Sequence, residues 1–233
     1  MNILTISTAD WVGPHLERWV RRVKESNPGA MLGLLYVTGD GGEAAPSWVR
    51  DEFFDVKVYP AGTFGRVWVN EVRMGACGIF GWESCIYCDA DADIVGDLGG
   101  IAAGGGGEGV ELACCRSPVV HSAWWDIARK FDYEFPDRYY NNGLLWMARD
   151  WNEEWTAAVN KLVGVELPER IMGTLIFNVM LNENVGKWFE LGKEYQAIWW
   201  EGVKLRAAKV VQYCNDGGQD KRVELERLRR AVL

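Results

Sequence analysis

Residues 84–95 read Ser84-Cys85-Ile86-Tyr87-Cys88-Asp89-Ala90-Asp91-Ala92-Asp93-Ile94-Val95. The apolar run Ser84 to Cys88 is too short for a helix and has the form of a buried strand. It stops abruptly at alternating aspartates. Open α/β sheets bind their ligands beyond the carboxyl ends of the strands. Hard carboxylate oxygens one residue apart suit Mg²⁺ or Mn²⁺, which keep positions open for phosphate oxygens. An Asp-X-Asp alone is also what a solvated turn at the end of a strand looks like, so its neighbours have to decide.

Upstream, Ile3-Leu4-Thr5-Ile6 within Asn2–Ser7 reads as a buried strand. Pro14 to Asn27 reads as a helix, with Leu16, Trp19, Val20 and Val23 on one face and Arg18, Arg21, Arg22 and Glu25 on the other. Met31–Val37 and Val56–Tyr59 are further strands, and Gly65–Phe80 reads as one helix with Val69, Val72, Ala76 and Ile79 inward. Downstream, Val110–Cys115, Asn142–Ala148 and Ala208–Tyr213 read as strands, Trp151–Val163 and Asp220–Leu233 as helices. The glycine run 104–107 lacks a following Lys-Ser/Thr and reads as a connector, not a phosphate loop. This rhythm predicts an α/β protein: a mixed, mostly parallel central sheet with helices on both faces. No repeat or linker divides it, so residues 1–233 are expected to form a single domain.

Composition narrows the function. Hydrophobic residues make up 48% and charged residues 25%, which excludes a disordered, collagen-like or coiled-coil chain. With 25 Lys+Arg against 33 Asp+Glu the net charge is −8, a poor footprint for tight nucleic-acid binding. No apolar run is long enough to span a bilayer and the N-terminus lacks a signal-peptide pattern, so the expected compartment is the cytoplasm. Cys85 and Cys88 form a CxxC. In a strand, however, residues three apart face opposite ways and no second pair completes a zinc set, so both are expected to be buried thiols.

Three segments, taken in chain order, carry a resemblance. Thr5-Ile6-Ser7-Thr8-Ala9-Asp10, Cys88 through Val95 with Asp97-Leu98, and Phe135-Pro136-Asp137-Arg138-Tyr139-Tyr140-Asn141-Asn142-Gly143-Leu144-Leu145 resemble the glycosyltransferases of the GT-A fold, most closely family 8, the glycogenin and bacterial galactosyltransferase type. The resemblance is scattered from Ile3 to about Lys221. It implies a Rossmann-like GT-A domain that moves a sugar from a nucleotide diphosphate sugar, a UDP-sugar, with retention of anomeric configuration. The cofactor is then Mn²⁺ or Mg²⁺ on Asp89 and Asp91, with Gln212 at the position of the family's metal-binding His.

By the same resemblance Ile6, Ser7 and Thr8 line the nucleoside pocket. Val12 stands nearest the family's base-stacking Tyr, and Trp11 is the aromatic that can replace it. Ala90 lies beside the nucleotide-sugar. Arg73, 16 residues before Asp89, matches a basic residue that faces the diphosphate and stabilises its departure; on residue type alone it reads equally as a solvated helix charge. Tyr140, Asn141 and Asn142 fall beside the donor sugar and acceptor, where an amide both donates to and accepts from sugar hydroxyls. Gly218 and Lys221, with Gly217, are the candidates for a phosphate contact. Where the family has an Asp-Gln pair that holds the donor sugar, this chain reads Gly173-Thr174.

Two other classes stay open. One is a sugar nucleotidyltransferase, although Ala9-Asp10-Trp11-Val12-Gly13 lacks the Gly-rich loop with Arg and Lys that such enzymes carry. The other is a non-catalytic nucleotide-sugar binding module, which the Gly173-Thr174 and Gln212 departures favour. The acceptor is undetermined: a glycan, a protein, a small molecule, or a modified nucleobase drawn to Arg18, Arg21 and Arg22. The 13 tryptophans, Trp124-Trp125 and Trp199-Trp200 among them, mark no sugar subsite by themselves. The terminal segment, with Lys221, Arg222, Arg227, Arg229 and Arg230 beside Leu225, Leu228 and Val232, offers weak peripheral contact with an anionic membrane.

Overall fold

A computed structural model describes residues 1–38, 44–60, 68–103, 108–198 and 207–212. In chain order they form β1 (Asn2–Thr8), α1 (Pro14–Ser26), β2 (Met31–Val37), α2 (Ser47–Glu52), β3 (Asp55–Tyr59), α3 (Trp68–Met74), α4 (Ala76–Phe80), β4 (Cys85–Cys88), β5 (Ala92–Ile94) and α5 (Gly100–Ala103). There follow β6 (Leu112–Arg116), α6 (Ser122–Lys130), β7 (Tyr140–Met147), α7 (Asn152–Lys161), α8 (Met172–Glu183), β8 (Trp188–Leu191), β9 (Ala197–Ile198) and β10 (Val210–Gln212). The glycine run 104–107, Trp199-Trp200, Tyr213, Gly217, Gly218, Lys221 and the expected terminal helix lie outside the described residues.

The larger sheet has seven strands in the order β3-β2-β1-β4-β7-β6-β8. β7 runs antiparallel to both β4 and β6, and all other neighbours are parallel. This is the mixed, mostly parallel sheet that the sequence predicts. A smaller sheet, β5-β10-β9, sits beyond the end of β4. The pleat divides β4 between two cores. Cys85 and Tyr87 join one and Ile86 and Cys88 the other, so the CxxC pair is split across the sheet. The hydrogen bond with Cys77, helped by burial, raises the Cys85 thiol pKa, burial raises that of Cys88, and neither forms a disulfide.

Two elements position the site. Along α1, Leu16, Trp19, Val20 and Val23 are buried at helical spacing. Its opposite face does not present three free cations. Arg18 grips the wholly buried Asp93 through two nitrogens at 2.8 and 3.0 Å, while Arg21 and Arg22 both lie near Glu25. Of the three, Arg21 remains the most exposed, with its side chain 62% accessible. The second element corrects the single helix expected over 65–80. Met74 gives its carbonyl to the Trp151 N–H at 2.7 Å instead of continuing the helical ladder, and the chain restarts as α4 after Gly75. The break leaves α3 as a short helix whose inner face meets the ends of β4 and β7. Trp124 is fully buried and donates to the Pro136 carbonyl, a core role and not a sugar platform.

Candidate functional site

Asp89 is the residue immediately after β4, and its N–H donates to the Gly143 carbonyl of β7 at 2.8 Å. Its side chain is the hub of the strand ends. Oδ1 accepts from Tyr87 Oη at 2.5 Å and from Arg73 Nη2 at 3.0 Å, and Oδ2 accepts from Gln212 Nε2 at 3.3 Å. Tyr87 reaches it because residues two apart on a strand share a face. Arg73, from α3, also donates through Nη1 to the Asn142 carbonyl at 2.5 Å and through Nη2 to Tyr87 Oη at 2.9 Å.

Arg73 is only 5% exposed, so it is not a solvated helix charge. Its guanidinium bonds to Asn142, Tyr87 and Asp89 make it a positioning residue under the site. Burial opposes its cation, but Tyr87 and Asp89 outweigh that and hold its pKa above the ordinary value. Burial also raises the Tyr87 hydroxyl well above the usual range, with Asp89 adding to the effect and Arg73 opposing it. Tyr87 therefore remains a donor to Asp89 at any working pH.

A cleft of about 260 Å³ opens over this hub. Ile6, Ser7, Thr8 and Trp11 from the end of β1 line one side, Asp89, Ala90 and Asp91 the other, with Val69 of α3 and Tyr87 between them. Seven of the residues singled out in the sequence thus meet around one opening. Val12 does not: it is half-buried and packs on the core that holds α1. Tyr140 also departs from expectation. Its ring is 2% exposed, lies edge-on to Trp188 at 4.7 Å, and its hydroxyl donates to Glu190, because a large aromatic gains more from the core than from the rim. A larger groove of about 610 Å³ on the outer side of α1 holds Lys24 paired with Glu52 and has no comparable convergence of groups.

The two asparagines face different neighbours. Asn142 Nδ2 donates to Asn70 Oδ1 at 2.6 Å, on the α3 side. Asn141 Oδ1 accepts the Gly143 N–H at 2.6 Å and faces Gln196, whose Nε2 lies 3.5 Å away and also donates to Gln212 Oε1. Gln196 in turn lines a second cleft, of about 360 Å³, with Arg116, Asp137, Glu190 and Lys193. Three of these neighbours escaped the sequence reading. Tyr87 stands two residues before Asp89 and Asn70 one helical turn before Arg73, spacings that mark a shared face. Gln196 had no local signal.

Among the described residues no group of three His, Cys, Asp or Glu side chains converges as metal ligands. The donor set nevertheless fits a divalent cation. Asp89 and Asp91 border the same cleft with hard oxygens, and Gly143 keeps the floor open: a Cβ there would come within 2.6 Å of Asp89 Oδ2 and 2.5 Å of Gln212 Nε2. Gln212 stands beside Asp89 as the resemblance implies, but it presents its NH₂ and not its oxygen. Asp93 is not part of the set, since both its oxygens are taken by Arg18.

No protein-family model matches the sequence, and no curated protein matches it. The fold has solved counterparts. The galactosyltransferase LgtC, solved with donor and acceptor sugar analogues, superimposes with a TM-score of 0.66 at 12% identity, over 100% of this chain and 96% of its own. Mouse xyloside xylosyltransferase 1, in its apo form, does so with a TM-score of 0.59 at 13% identity, over 94% and 100%. The WbbM bifunctional glycosyltransferase gives 0.62 at 9% identity, over 93% of this chain and 46% of the larger one. The fold is therefore that of the GT-A glycosyltransferases.

Proposed function

We propose that this chain is a metal-dependent glycosyltransferase of one domain, moving a sugar from a nucleotide diphosphate sugar, a UDP-sugar, to an acceptor with retention at the anomeric carbon. The observation that carries the reading is the cleft where the end of β1, the Asp89–Asp91 turn and α3 converge, on a fold shared with glycosyltransferases. Nothing in it points to a nucleophile on this chain, and none is assigned.

The roles follow from placement. Ile6, Ser7 and Thr8 border the nucleoside, and Trp11 offers its face to the base in place of the tyrosine. Asp89 and Asp91 hold the ion, with Ala90 between them close to the donor. A bound Mn²⁺ or Mg²⁺ supplies positive charge against the leaving diphosphate. Arg73 and Tyr87 fix Asp89 in orientation. Asn142 and Asn70, two amides in contact, supply paired donors and acceptors for sugar hydroxyls. The acceptor enters from the second cleft, which Gln196 joins to the metal side of the site. Gly218 and Lys221 remain the proposed phosphate contacts.

A second reading, a binding module without turnover, draws support from position 173, where Asn70 leaves no room for a sugar-holding side chain. One panel separates the two. UDP-, GDP-, TDP- and CDP-sugars are offered with Mn²⁺ and with EDTA, and nucleotide release and melting temperature are read together. A transferase releases UDP only with Mn²⁺. At about 100 times its dissociation constant, the donor adds roughly 2.7 kcal/mol of stability under the same condition. A stability gain without release assigns the module; an equal gain in EDTA removes the metal from the reading.

A further inference from the structure

The amide side chains around Asp89 form a line with both ends fixed. At one end the Gly143 N–H can only donate, and it donates to Asn141 Oδ1 at 2.6 Å. At the other end the Asp89 carboxylate can only accept, and it accepts from Gln212 Nε2. Between them Gln196 directs its NH₂ toward Asn141 Oδ1 and onto Gln212 Oε1. Each amide has one orientation that satisfies both neighbours, and this is the one observed. Gln196 is 8% exposed and Gln212 is 7% exposed, so water does not readily replace either bond. The Gln196 oxygen, by contrast, has no hydrogen-bond partner among the described residues.

A divalent ion binds oxygen, not an amide NH₂. For Gln212 to become a ligand its amide must turn over. That motion breaks the bond from Gln196 and sets two NH₂ groups against each other. Gln196 cannot relieve the clash by turning as well without bringing its own oxygen against Asn141 Oδ1, which the Gly143 N–H holds in place.

On the metal-dependent reading above, we infer that Gln196 sets the metal affinity of the site. By holding the Gln212 oxygen, it keeps position 212 out of the coordination shell, so the ion meets two protein carboxylates and depends on the diphosphate for the rest. Metal and nucleotide then bind with strong reciprocal coupling, and the empty protein holds the ion loosely. Gln196 is a positioning residue here, acting through Gln212.

The test is calorimetric titration of Mn²⁺, with and without UDP, into the wild-type protein, Gln196→Leu, Gln196→Glu, Gln212→Leu and the Gln196→Leu/Gln212→Leu double variant. Gln196→Leu should bind Mn²⁺ about three- to tenfold more tightly without UDP, the range that one released hydrogen bond allows. Gln196→Glu keeps a polar group if the leucine variant fails to fold. Its acceptor-only carboxylate cannot donate to the Gln212 oxygen, so Gln212 should turn and Mn²⁺ binding should again tighten. The double variant should show no gain over Gln212→Leu alone. Equal or weaker Mn²⁺ binding by both Gln196 variants overturns the inference, as does the same gain with Gln212 absent. If the wild type takes up Mn²⁺ with UDP and the variants behave alike, only the inference falls. If no protein takes up Mn²⁺ even with UDP, the metal-dependent reading falls and the inference with it.

Discussion

Arg73 and Asp89 form an ion pair of 3.0 Å at the floor of the cleft, with the arginine side chain 6% exposed and the carboxylate 24% exposed. A carboxylate in that position does two jobs. It neutralises a buried cation and it faces the cleft. Asp91, two residues on, borders the same cleft.

The two aspartates should therefore separate in experiment. Asp89→Asn removes the charge that compensates Arg73, and a charge-assisted bond of this kind contributes about 2 kcal/mol. Urea unfolding should show a loss of that order, together with loss of turnover. Asp91→Asn should still fold while nucleotide release falls by orders of magnitude. Normal release from a folded Asp91→Asn protein would sink the proposed chemistry.

Asp93 belongs to the same acidic run but does different work. It is fully buried and gripped by Arg18, so it ties β5 to α1 and holds the turn in place. Breaking a buried pair by removing one partner costs about 3–5 kcal/mol, less here because Arg18 is 19% exposed. Asp93→Ala should lower stability by about 2–3 kcal/mol. Where it folds, its Mn²⁺ uptake in the presence of UDP should equal that of the wild type, measured by calorimetry at low temperature.

How much of this was legible beforehand differs by residue. The strand that ends in Asp89 could be read, because a short apolar run cut off by aspartates has few other solutions. The inward face of α1 could be read from its spacing. Arg73 was located, but its burial was not, because whether a helix charge meets water depends on what the next layer brings. The break at Gly75 was hidden because the apolar spacing of 65–80 continues across it, and its cause is the Trp151 N–H, far along the chain. Gln196 became a neighbour of Gln212 only because β9 pairs in parallel with β10, setting Gln212 opposite Ile198. A two-residue strand leaves no periodic trace.

Glu154 gives a pH signature remote from the cleft. Hydrogen bonding from Arg149 pulls its pKa below the ordinary carboxylate value, against the opposing effect of burial. A depressed folded-state pKa contributes stability that is fully present above the unfolded value, about 4.3, and is lost as pH falls through the folded one. Unfolding free energy should therefore decline below about pH 4.5. Glu154→Gln should be less stable at neutral pH and show a shallower acid limb, as followed by urea melts from pH 3 to 7. Parallel acid limbs would assign the decline to other carboxylates.

Gly173 and Asn70 supply the last prediction. The Asn70 amide lies directly over the Gly173 Cα, where a Cβ would overlap Asn70 Nδ2. The same side chain accepts from Asn142 at 2.6 Å. α8 therefore gives up a side chain at 173 so that α3 can deliver an amide to the same place. Gly173→Ala must displace Asn70 and break its bond with Asn142. Overpacking of this kind costs about 1–3 kcal/mol. The effect should fall on kcat as well as on stability, because the displaced amide faces the proposed sugar position. Asn70→Ala removes the amide without a clash and should lower kcat/KM about tenfold, one charge-neutral hydrogen bond to the transition state. In the Asn70→Ala background Gly173→Ala should cost almost nothing further in stability, since the space is already empty. That non-additivity, read as a coupling energy of about 1–2 kcal/mol in a double-mutant cycle, is the measurement that decides. Strictly additive losses would mean that the two residues do not share the site, and that the missing side chain at 173 has no substitute.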